Sequence, residues 1–166
     1  GISIEVTAAE YSLPCSVSGK VVCVSTIQEL QAAKLNDKIC VMSGELCKEQ
    51  LMPKSFTFWN PQEHQEIIRQ LEEKKPLAVI TVSFLHDVAL PIIQDGDFSI
   101  PCAAVKGNCL NALLTAKIAN LQLFTERKAS SGSNVITVCG SGQQKISFSA
   151  HIDTKPGTPG ALDNAS

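Results

Sequence analysis

Three short runs set the tightest limits on the fold: "VVCVS" at 21–25, "KICVMS" at 38–43 and "PLAVITVS" at 76–83. Each is almost wholly apolar, is rich in β-branched residues and is bounded by turn-forming neighbours, the pattern of a buried strand. The segments between them change period. "TIQELQAAKL" (26–35) puts Ile27, Leu30 and Leu35 at near-helical spacing, with Thr26 as N-cap and Glu29 three residues on. "PQEHQEIIRQLEEKK" (61–75) sets Ile67, Ile68 and Leu71 on one face and charges elsewhere, with Pro61 suited to a first helical turn. Strands that interleave with amphipathic helices must bury both kinds of apolar face together, so the class is α/β (α+β). A twisted sheet or small barrel flanked by two helices accounts for residues 15–118.

The remaining segments are expected to follow the same logic. "SIEVTAAEY" opens with Ile2, Ile4 and Val6 alternating with polar residues, as in a half-buried strand. "FTFW" (56–59) suggests a short strand, and "LPIIQDGDFSIPCAAVKG" (90–107) reads as loop, turn and strand. "NCLNALLTAKIA" (108–119) predicts a second helix with apolar residues at 110, 113, 114 and 118. "NLQLFTERK" alternates as a strand, and the low-complexity "ASSGS" (129–133) marks an organisational boundary in the region 118–133. "NVITVCG", the turn "SGQQ" and "KISFSAH" predict a strand pair that delivers His151 at its end. The strands after residue 119 are expected to begin a different sheet.

Composition narrows the function classes. Of the 166 residues, 44% are apolar and 18% charged, the balance of a globular domain. A net charge of −2 gives no electrostatic reason to expect nucleic acid or an anionic membrane as partner. No apolar run approaches the roughly 18 residues that span a bilayer. The seven cysteines include no Cys-x-x-Cys pair. They read as buried free thiols of a reducing compartment, with a disulfide framework as the alternative. The expected localisation is therefore cytoplasmic, with secretion as the alternative because the chain starts at Gly1 rather than methionine.

The last sixteen residues, "HIDTKPGTPGALDNAS", concentrate the chemistry. His151 sits where an apolar strand ends. Asp153, two residues on, is placed to hydrogen-bond its imidazole and fix its tautomer, as partners of metal-bound histidines do. Asp163 follows a loop with Gly157, Pro159 and Gly160, which lets a second carboxylate fold back toward the first group. Histidine with carboxylate suits Zn²⁺ and similar divalent ions. The other reading of the same residues is a histidine that caps a strand and ordinary turn-forming aspartates. Elsewhere the readings are structural. His64 is expected to be solvated on a polar helix, His86 and Asp87 to form a loop pair, and Phe56 and Trp59 to pack the domain. Asp95 and Asp97 read as a turn, and 126–128 as a charged strand end.

This segment resembles the His-x-Asp … Gly-Ala-x-Asp-[Asp/Asn]-x-[Ala/Ser] motif of the co-catalytic zinc aminopeptidases, whose relatives include glutamate carboxypeptidase and the transferrin receptor. The preceding "NVITVCGSGQQKISFSAH" also resembles the strands that lead into that histidine. More weakly, "GKVVCVS", "NDKICVMSG", the helix at 61–74, "KPLAVITVS", "IPCAAV" and "CLNALL" follow the order of a protease-associated domain. The resemblance implies residues 1–14 as the tail of an N-terminal peptidase piece, 15–118 as a protease-associated-like β-rich domain and 119–166 as the first strands of an incomplete zinc-peptidase α/β sheet. It implies His151 as a ligand of one metal, Asp163 as a bridge between two Zn²⁺, and Asp153 as the residue that orients His151. The family's Glu-Glu pair and its further Asp and His have no counterpart through residue 166. The chain is thus expected to be an N-terminal fragment of a dinuclear aminopeptidase acting on peptides, inactive alone. A degenerate, non-catalytic interaction or lid module is the alternative, as is a carboxypeptidase or amidohydrolase on the same scaffold. Oligomeric state has no sequence signal.

Overall fold

The computed structural model describes residues 1–144 and 146–151. Asp153 and Asp163, singled out in the sequence, lie outside the described residues. Two compact units divide the chain, Gly1–Ala129 and Ser130–Ser166.

The first unit is a mixed α/β domain around one six-stranded sheet, ordered β1-β5-β4-β3-β2-β6. Its strands are β1 (Thr7–Ala8), β2 (Cys15–Val24), β3 (Lys38–Met42), β4 (Ala78–Val82), β5 (Cys102–Val105) and β6 (Ile118–Leu123). Strands β2 to β5 run parallel, and the edge strands β1 and β6 pair antiparallel with β5 and β2. The three apolar runs are therefore neighbours, with Val22 beside Cys40 and Cys40 beside Val79. Strands buried on both faces need continuous apolar sequence, and β4 is buried at all five positions.

Helices α1 (Ile27–Ala32) and α2 (Gln62–Lys74) serve the β2–β3 and β3–β4 crossovers. Thr26 caps α1, its Oγ1 accepting the Glu29 N–H at 3.2 Å. The Glu29 carboxylate reaches back to accept the Ser25 N–H and hydroxyl at 2.6 and 2.8 Å, one residue further than a simple capping box. Leu30, Ile67, Ile68 and Leu71 pack on one face of the sheet with Cys40, Met42, Val79 and Cys102. The other face gathers Ile39, Val41, Ile80, Val82, Val105, Leu121 and Leu123 under α3 (Leu110–Thr115).

Four expectations change. β6 joins the same sheet rather than beginning another, because its antiparallel ladder with β2 extends from Cys15↔Leu123 to Lys20↔Ile118. That ladder also shortens the second predicted helix, which ends at Thr115: the Lys117 carbonyl accepts the Val21 N–H, and Ile118 lies in the strand. The 2–6 segment keeps its alternation, with Ile4 and Val6 half-buried on the sheet, but only Thr7–Ala8 is hydrogen-bonded as strand. "FTFW" forms no strand, and Phe58 is 92% exposed.

In the second unit, the described residues of 130–151 contain no helix or strand, so the predicted strand pair before His151 is not formed there. The physical reason is a missing partner. Val135, Ile136, Val138, Ile146 and Phe148 are 79–94% exposed, and a two-stranded ribbon without a surface to bury its apolar face is marginal in water.

Candidate functional site

Parallel sheets collect ligands at the carboxyl ends of their strands. Here that edge carries the segment after β3, the loop after β4 and the turn after β5. A 3₁₀ turn, Gly44–Cys47, follows β3, and Leu51 then bridges Ile93, with its N–H donating to the Ile92 carbonyl at 2.9 Å. The loop after β4 is held by Gly107, whose N–H donates to the Leu85 carbonyl at 2.9 Å. A Cβ at Gly107 would stand 2.7–2.8 Å from the Leu85 and Ser83 carbonyl oxygens, so this approach requires glycine.

His64 is the residue that sequence reasoning misplaced. It is 2% exposed, not solvated. Its position offered a signal: it lies three and four residues before Ile67 and Ile68 and so falls on the apolar stripe of α2. The Met52 N–H donates to its Nδ1 at 3.1 Å. Glu49 Oε1 lies 3.5 Å from Nε2, and the Trp59 ring meets the imidazole edge-on at 6.0 Å and 79°.

Asp95 forms the turn expected of it and also reaches another loop. It is buried, and its carboxylate accepts the Lys54 N–H at 2.9 Å and the Asp97 N–H at 2.8 Å, closing its own turn and tying down the 52–60 segment. The His86–Asp87 pair is the solvated loop pair expected, with Nδ1 and Oδ1 2.9 Å apart and both side chains 77% exposed. Phe56 and Trp59 pack less than expected, at 46% and 53% exposed. With Phe84 at 61%, they place apolar aromatic surface on the loops of this edge.

On the face that carries α3 a cleft of about 690 Å³ lies between the N-terminal segment, α3 and β6. Ile2, Ile4, Val6 and Leu113 are among its walls, together with Ser3, Thr115 and Asn120, and no ionisable side chain lines it.

The seven cysteines are free thiols. Burial pushes Cys40 and Cys47 up to about 12 and raises Cys102 as well, so these three are inert. Cys139 is exposed and lies outside any strand.

His151 is exposed at the end of the described residues. Of the three residues singled out in the terminal motif it alone is described. Among the described residues no group of three or more His, Cys, Asp or Glu side chains is arranged to hold a metal ion. One histidine does not fit a zinc ion by itself, since zinc takes three or four protein ligands.

No family model and no curated protein sequence matches the chain. Solved structures do. BSAP, a zinc aminopeptidase from Bacillus subtilis, aligns over 74% of this chain at 19% identity and a TM-score of 0.52, and a second structure of it gives 0.51. An aminopeptidase from Aneurinibacillus sp. strain AM-1 aligns over 71% at 19% identity and 0.46. The chain spans 28% of the length of the Bacillus enzyme. What this likeness establishes is the fold: the chain is built like part of a zinc aminopeptidase.

Proposed function

We propose that this chain is part of a zinc-dependent exopeptidase, an aminopeptidase that removes residues from the N-terminus of peptides. The observation that carries the reading is a coincidence within one chain. The terminal "HIDTKPGTPGALDNAS" resembles a zinc-aminopeptidase motif, and the fold is like part of a zinc aminopeptidase. In this reading His151 binds one Zn²⁺, Asp163 bridges two, and Asp153 orients His151 as a positioning residue. Zn²⁺ held there would supply Lewis acidity, polarising the scissile carbonyl and activating water for its hydrolysis. The proton-shuttling glutamate and the remaining ligands would come from other residues of the parent protein, so this piece alone is inactive.

The first unit serves as the protease-associated-like domain, with its outline widened to take in β1 and β6. The segment after β1 is tied to the segment after β6: the Thr125 hydroxyl donates to the Ser12 carbonyl at 2.9 Å and Arg127 Nε to the Tyr11 carbonyl at 2.6 Å. Residues 130–166 then open the peptidase core.

The test is chelator-sensitive hydrolysis of aminoacyl-p-nitroanilides by the intact protein, lost in His151→Ala. An intact protein that neither binds zinc nor hydrolyses these substrates sinks the proposal. The exposed Phe56, Phe58, Trp59 and Phe84 favour one second reading, a non-catalytic interaction module. A parent sequence that lacks the Glu-Glu pair and the later Asp and His would favour it.

A further inference from the structure

The segment after Leu51 carries most of the exposed aromatic surface of its edge, yet few bonds hold it. Asp95 accepts the Lys54 N–H, Asn60 Nδ2 donates to the Pro53 carbonyl at 3.1 Å, and Gln65 Nε2 donates to the Asn60 carbonyl at 2.8 Å. Asn60 Oδ1 is buried without a hydrogen-bond partner, which weakens the packing of the loop. Lys54 Nζ also pairs with Glu72 at 2.8 Å, and the Phe56 N–H donates to the Pro53 carbonyl at 2.9 Å. At the start of the segment the Met52 N–H donates to the buried His64 ring. Because Nδ1 accepts this bond, the neutral ring carries its proton on Nε2, toward Glu49.

We propose that His64 is a proton-operated latch, closed when its Nδ1 is free to accept the Met52 N–H and open when that nitrogen is protonated, releasing residues 53–60 with Phe56, Phe58 and Trp59. The chemistry is a conflict of donors. A proton on Nδ1 would point at the Met52 N–H, leaving two donors face to face with no acceptor, in a site that is 2% exposed. In the released segment both the Met52 N–H and the ring nitrogen can bond to water, so the conflict of donors disappears. The charged group at the ring is Glu49, whose carboxylate favours the cation within the closed form and so opposes release; at 3.5 Å and 51% exposed it is partly screened by solvent. The other charges of the surrounding elements are engaged with one another: Lys48 with Glu63, Lys54 Nζ with Glu72, and Asp95 with the amides of Lys54 and Asp97. The latch is independent of zinc and of the function proposed above.

Amide hydrogen exchange tests it on the unaltered chain, with rates corrected for the intrinsic effect of pH. Between about pH 8 and about pH 5, protection of the Met52 amide should fall by about tenfold or more, while the Val41 amide in β3 stays protected. His64→Asn places a non-titrating acceptor oxygen near the position of Nδ1 and should keep the Met52 amide protected at the lower pH. The ¹⁵N shifts of the wild-type ring provide a reading that needs no variant: Nε2–H tautomer at high pH, and imidazolium appearing in step with the loss of Met52 protection. A Met52 amide indifferent to the ring's titration overturns the latch. So does parallel loss at Val41, which would mean global unfolding.

Discussion

The tetrapeptide Val-Ile-Thr-Val occurs twice in this chain, at 79–82 and at 135–138. In the first unit it is most of β4, with Val79, Ile80, Thr81 and Val82 at most 4% exposed and hydrogen-bonded to β3 on one side and β5 on the other. In the second unit the same four residues form no strand, and Val135, Ile136 and Val138 are 79–92% exposed. Identical local propensity thus has opposite outcomes. Strand preference is a preference for a pleated, half-buried surface with partners on both sides, and only the first copy has them.

The sharpest way to break this contrast is thiol chemistry, because Cys40 and Cys102 flank the first copy while Cys139 follows the second. With a disulfide reagent at about pH 8, Cys139 should react as an exposed thiol. Cys40, Cys47 and Cys102 should react slower by a factor on the order of 10³ or more, the rate at which the core opens. Comparable rates would mean that β3 to β5 are not the protected core described. Ile80→Ala and Ile136→Ala repeat the test in free energy. The first should cost about 2–5 kcal/mol in urea unfolding, the second no more than about 0.5 kcal/mol. Equal costs would show that the second copy is buried in solution.

Smaller effects probe what holds the first unit together. Asp95→Ala removes a charged acceptor from two part-buried amide hydrogen bonds and should cost about 1.5–3 kcal/mol, with exchange quickening first at Lys54 and Asp97. Thr26→Ala should cost about 1 kcal/mol through loss of the α1 cap. The Ser25 backbone and hydroxyl bonds hold the Glu29 carboxyl below the usual glutamate range. The unfolded chain therefore binds this proton more readily than the folded one, and stability contributed by Glu29 is present above the usual range and is lost as pH falls through the folded value. Glu29→Gln should flatten that part of the stability–pH curve; an unchanged curve would discard the contact.

Much of the first unit is legible in the sequence because its information is local. The apolar runs give β2, β3 and β4, Thr26 and Glu29 mark the start of α1, and Ile67, Ile68 and Leu71 mark the buried face of α2. What the sequence leaves open depends on partners distant along the chain. Ile118 satisfies a helical period as well as a strand, and only the ladder with β2 decides. His64 looks solvated by residue type, and its burial follows from Met52 and Trp59 folding over it. Asp95 looks like any turn residue until Lys54 arrives from another loop. The terminal motif is the reverse case: the sequence assigns roles to His151, Asp153 and Asp163 by resemblance, and of these only His151 lies among the described residues.

Zinc content of the intact protein tests the functional claim most directly. Wild-type protein equilibrated with zinc and freed of excess should carry the metal, and His151→Ala, a change at an exposed position of little structural consequence, should lower the number of ions per chain. Equal zinc in both proteins, or none in either, would contradict the assignment of His151 as a ligand.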